Sequence, residues 1–140
     1  MELACREIRR ILTDTNDLHG WHIPNHIIEY ESRVLAERLE QPHWRPEPSF
    51  AERYMQIRTS EQALALGNVC WFTRSVFPEL LSRRGISEQY FVDMGQSCYD
   101  RVLRDCDSHT IKTMRDHFEF LCECTYTAIR HYGEFRSMWD

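Results

Sequence analysis

Between Ala63 and Phe77 the chain runs fifteen residues with a single charge, Arg74. A helix that is apolar on nearly every side has no face to offer water, so other parts of the chain must enclose it. That requirement predicts an all-α, single-domain bundle of six or seven helices around one nearly all-apolar central helix, at about 60–77. The run is shorter than the ~20 residues that span a bilayer, and Arg74 would lie near one end of it. A soluble chain with no membrane partner is expected. At 140 residues it can bury roughly two-thirds of the surface its unfolded form exposes, so folding requires neither a metal nor a disulfide.

Local signals divide the rest of the chain into helices and no strands. Residues 2–12 place Ala4, Ile8, Ile11 and Leu12 on one side, and the polar residues from Thr13 to His22 read as a turn. Pro24 suits a first helical position and opens a helix to about Glu40. Residues 41–48 hold three prolines and read as a rigid connector within one domain, 1–140. Ser49 with Glu52, and Thr59 with Gln62, form capping boxes. Pro78 either kinks the central helix or starts a short turn finishing near Gly85. Ser87 caps a helix to about Asp105, and Asp107 or Ser108 caps one long final helix ending before Gly133. Residues 134–140 form a short tail. Gly67 shares a stripe with Ala63 and Cys70, and Gly95 shares one with Cys98. Glycines inside helices imply close approach, so these two helices are expected to cross there.

Net charge is −5, and the basic residues are sixteen arginines and one lysine, Lys112. They are scattered among acids, whereas a nucleic-acid binder gathers cations on one face, so no nucleic-acid partner is expected. The N-terminal residues mix charges with apolar side chains and lack the apolar core of a secretory signal, which points to the cytoplasm. Six cysteines then read as reduced thiols packed as small hydrophobes. Cys122 and Cys124 point about 200° apart on a helix and cannot readily bond to each other.

The segments Leu66-Gly67-Asn68, Cys70-Trp71-Phe72, Phe77-Pro78-Glu79, Arg83-Arg84-Gly85, Tyr90-Phe91 and Gly95 to Tyr99 together resemble a family of small bacterial helical proteins. The resemblance covers about a third of the chain. It implies a bacterial source and a helical fold and brings no catalytic residue. The chain departs from the family in having Phe91 where a second tyrosine is expected, and Cys98 where a smaller residue is common.

Two charges project onto apolar faces: Glu31 among Ile27, Ile28, Tyr30, Val34 and Leu35, and Arg74 beside Ala63, Gly67, Cys70 and Phe77. A lone buried charge costs several kcal/mol. Three outcomes are open: an internal Glu31–Arg74 ion pair, a ligand cleft at one of them, or side chains that extend to a wet rim. His22 and His26 have ligand spacing, but Pro24 puts His22 before the helix, and the two Glu-x-x-His motifs that a di-iron bundle needs do not occur. On the last helix His117, Phe120, Cys124 and His131 form an outward stripe. Steps of seven residues, ~10 Å, prevent these side chains from sharing one ion, so no metal is assigned and the stripe reads as packing or a subunit contact.

No serine elbow, phosphate loop or dinucleotide fingerprint is present, and Cys70 and Cys98 lie on core stripes. The reading is a non-enzymatic module, without a cofactor, that binds another protein or a second copy of itself. Its contact candidates are Trp44, Phe120 and Trp139, and the alternative for Trp139 is folding back onto its own chain. The competing reading is a small-molecule- or metal-binding bundle, catalytic in one version, with a polar cavity near Glu31 and Arg74.

Overall fold

The computed structural model describes residues 2–40, 50–132 and 136–139. Among these it is all helical: α1 (Glu2–His19), α2 (Asn25–Leu39), α3 (Phe50–Met55), α4 (Ser60–Val76), α5 (Pro78–Arg83), α6 (Glu88–Asp105), α7 (His109–Asp116) and α8 (Phe118–His131), with a final 3-10 turn at Arg136–Trp139. No helix of the described residues is long and apolar enough to cross a membrane. The connector at 41–48, with Trp44, and the cap at Ser49 lie outside the described residues. Contacts divide the chain into two compact units, Met1–Trp44 with Glu123–Asp140, and Arg45–Cys122.

In the first unit α1 and α2 form a helical hairpin. Helix α1 continues seven residues past Leu12, through the segment expected to be a turn. Its polar residues are absorbed internally. The Thr15 hydroxyl donates back to the Ile11 carbonyl (2.8 Å), and Arg10 bridges Asp14 on the outside (3.2 Å). Asn16 is buried and closes the loop by itself: its amide donates to the Ile23 carbonyl (3.2 Å) and its oxygen accepts from the Ile23 N–H (3.0 Å). Gly20, at φ +64°, reverses the chain while the Trp21 N–H returns to the Asn16 carbonyl (3.3 Å). Pro24, with ψ 147°, stands one position before the helix rather than inside it. The chain's final turn docks on α2, where buried Trp139 donates its indole N–H to the Leu35 carbonyl (3.0 Å).

The second unit is organised by α4. Thr59 and Gln62 form the expected reciprocal cap. Every residue from Val69 to Val76 is buried, Arg74 included, so this half of the run is enclosed as its composition requires, whereas in the first half Ala65 is exposed and Leu64 and Asn68 are half-buried. Helix α4 stops at Phe77, and Pro78 starts α5 as its first residue. Gly85, at φ +70°, ends α5: its N–H reaches the Ser82 carbonyl (3.0 Å) and that of Ile86 reaches Leu81 (2.9 Å). Ser87 caps α6 and Ser108 caps α7.

Helix α4 packs most extensively on α6. Gly67 is at this contact, since a Cβ there would stand 2.8 Å from the Tyr99 ring and 3.1 Å from Cys98 Cβ. The Tyr99 hydroxyl then donates to Asn68 (2.8 Å). Gly95 serves a different neighbour, because its absent Cβ makes room for the ring of Phe118, which would otherwise lie at 2.3 Å. That insertion accompanies the break of the expected long final helix at His117 (φ −118°, ψ 26°) into α7 and α8. No proline or glycine marks the break, and Phe118 is fully buried beside it.

A methyl at position 95 must therefore displace a ring that has nowhere to go. Overpacking of this kind costs about 1–3 kcal/mol, against a gain of about 1 kcal/mol in helix propensity. Gly95→Ala is expected to lower the melting temperature by about 2–6 °C, measured by circular dichroism. An unchanged melt would show that the Phe118 ring yields.

Candidate functional site

Glu31 lies where the periodicity of α2 directs it, among Ile27, Ile28, Val34 and Leu35, and is 2% exposed. Its hydrogen-bond partner among the described residues is Thr125 on α8, itself buried, whose hydroxyl donates to Oε2 at 3.4 Å. Glu31 and Thr125 belong to the first unit. Burial pushes the Glu31 carboxyl up to about 8, an effect the Thr125 bond only partly opposes. At neutral pH the group is thus mainly a neutral acid. The neighbouring Cys124 thiol is raised to about 12, first by burial and then by the carboxylates of Glu31 and Glu123.

Arg74 belongs to the second unit and meets a carboxylate there: its Nη2 stands 3.6 Å from Glu88 Oε2, in the first turn of α6. The contact ties the end of α4 to the start of α6, with the guanidinium buried and the acid about half exposed. Nearby thiols are poor nucleophiles. Burial, then Cys98, holds the Cys70 thiol well above its ordinary value, and burial raises Cys98 to about 12.

The outward stripe of the last helix resolves into separate environments. Phe120 is 45% exposed, and His117 and His131 are exposed, but Cys124 is buried beside Thr125. Helical projection places the four on one face only if the helix is continuous, and the break at His117 detaches that residue from the α8 face. Trp139 is docked on its own chain and Trp44 lies outside the described residues. No three His, Cys, Asp or Glu side chains among the described residues are placed to share a metal ion.

Two open clefts carry charge. One of about 560 Å³ in the first unit is lined by Arg6, Arg9 and Arg10 and by Glu7, Asp14 and Glu29. Its arginines are largely matched from within: Arg10 bonds Glu7 and Asp14, and Arg9 lies 3.9 Å from Glu29. Another, of about 500 Å³, includes Arg104, Lys112 and Arg115, with Arg115 committed to Asp100 (2.7 Å) and Asp116 (2.9 Å). Neither cleft is lined by Glu31 or Arg74.

Thr125 was visible in the sequence as a polar residue on the inward stripe of the last helix, and pairing it with the inward Glu31 would have found this contact. No family model, curated protein or solved structure matches the chain.

The raised carboxyl gives stability a definite pH dependence. Glu31 is lifted from 4.5 to about 8, so its burial is fully tolerated below about pH 4.5. Stability is lost as pH rises towards 8, because the unfolded chain ionises first. The loss is on the order of several kcal/mol, since each tenfold change in an ionisation constant is worth ~1.4 kcal/mol. Denaturant unfolding across pH 4–9 should show this decline in the wild type and a flatter profile in Glu31→Gln, the variant being the more stable at pH 8. Parallel profiles would mean that the carboxyl is not held as a buried acid.

Proposed function

We propose that this chain is a non-enzymatic, cytoplasmic interaction module that binds another protein, first of all a second copy of itself. The observation that carries the reading is Phe120. Its ring is 45% exposed on α8, although its neighbours Phe118 and Leu121 are buried. Exposed aromatic rings tend to supply the central anchors of protein interfaces, because each desolvates a large rigid area on docking. Met55 and Tyr90 add exposed apolar surface on the second unit.

The interior supports the same reading over a ligand-binding one. Its thiols are raised, its buried carboxyl is neutral, and in the first unit's cleft Arg9 and Arg10 are matched by that cleft's own acids. A bound anion would have to compete with those carboxylates for the arginines.

Light scattering across micromolar concentrations tests the proposal. The wild type should show a mass that climbs from monomer towards dimer, and Phe120→Glu should remain monomeric with an unchanged melt. A strictly monomeric wild type would remove the self-association reading.

A further inference from the structure

Helices α3 and α6 meet through Phe50 and Phe91, whose rings stand edge to face at 5.1 Å. Tyr54 lies one turn beyond Phe50 on α3. On α6, Tyr90, Asp93, Met94 and Ser97 recur at three- and four-residue steps and so share one face. Together with Tyr54 these four residues line a groove of about 190 Å³, all within the second unit.

The groove joins three things that a cation favours. Two phenol rings supply π-systems, which attract a positive group placed over their faces. Met94 adds a polarisable thioether. Asp93 adds a formal negative charge: one carboxylate oxygen accepts from the Gln89 amide at 2.8 Å, which orients the group and leaves the second oxygen for an incoming donor. Among the described residues the wall contains no cation of its own. Arg53, on the same helix as Tyr54, is placed over the Phe50 ring at 5.6 Å instead, and Arg130 lies over Tyr126 at 5.2 Å. Among the described residues, arginine on an aromatic ring is thus a contact made twice.

We propose that this groove receives an arginine side chain presented by a partner protein. Its volume is below the ~300 Å³ at which small-molecule pockets begin, and it fits a single side chain. A planar guanidinium can lie against a ring while donating in its own plane to a carboxylate, and it gives up less hydration in doing so than a compact ammonium. The chain's charge of −5 draws a basic surface towards it. The inference rests on the protein-binding reading and names the chemistry of the contact. Because the chain carries sixteen arginines, a second copy is one source of the guanidinium.

The test uses the full chain and three probes: the N-acetyl, N-methylamide derivatives of arginine, lysine and citrulline. Backbone amide shifts of Tyr90, Asp93 and Ser97 are followed by NMR. The arginine probe should saturate in the millimolar range, with lysine and the neutral isostere citrulline each at least about tenfold weaker. Asp93→Asn and Tyr90→Ala should each weaken arginine binding about tenfold while leaving the melting temperature within a few degrees, both residues being exposed. Equal binding of citrulline or lysine, unchanged binding in Asp93→Asn, or no saturation up to ~50 mM would overturn the proposal.

Light scattering separates the two readings. A dimer that depends on Phe120 with no arginine binding sinks the groove and leaves self-association. Arginine binding by a strictly monomeric chain does the reverse. Loss of dimer in Asp93→Asn identifies the second copy as the source.

Discussion

Enclosure of the second half of α4 is the constraint from which the architecture of the second unit follows. Eight consecutive residues, Val69 to Val76, are buried, so every direction around that stretch needs a neighbour. A helix can be surrounded only if others come close, and one glycine in α4 and another in α6 leave room for neighbouring rings. Gly67 admits the Tyr99 ring of α6, and Gly95 admits Phe118 at the start of α8. The turns that bring those helices into place are fixed by local chemistry, with Pro78 opening α5, Gly85 closing it and Ser87 capping α6.

Burying a helix on all sides also buries its polar side chains, and their length decides how each is accommodated. Thr15, Ser32 and Thr73 fold back onto the carbonyl four residues earlier, at 2.7–2.8 Å, so they enter the interior with their hydroxyls satisfied. Ser75 does not do so, and the Trp71 carbonyl four residues before it receives the Cys122 thiol at 3.8 Å. The Ser75 hydroxyl and the Trp71 indole N–H are left buried without a hydrogen-bond partner among the described residues. Each such group costs about 1–3 kcal/mol, which the apolar burial around it offsets. Glu31 is too long and too acidic for back-bonding. Its remaining solution is to stay protonated, with the Thr125 hydroxyl against it.

These particulars show what could be read from the residues alone. The helical class, the enclosure of the central segment, the Thr59 and Ser87 caps and the inward aim of Glu31 all follow from periodicity and capping, which are local. Three features did not follow. Helix α1 runs to His19 because Asn16 finds its partners at Ile23, beyond a loop, and a window of turn-forming residues carries no sign of that bond. The break at His117 has no local breaker and accompanies a ring seated across the fold. The groove between α3 and α6 joins Tyr54 to residues some forty positions away, and helical projection cannot bring two helices together.

A division between interior and surface results. Inside, burial removes the reactivity of the groups that could perform chemistry: the thiols of Cys70, Cys98 and Cys124 are raised and the Glu31 carboxyl is neutral. Outside, rings and charges remain in water, with Phe120 and Tyr90 unburied and Asp93 half engaged. A nucleophile needs its reactive form exposed to a substrate, whereas an interface needs only rigid groups whose hydration can be exchanged for contact. The helices supply that rigidity. Tyr90 and Asp93 sit within the first two turns of a capped eighteen-residue helix, so the proposed docking would cost them little freedom.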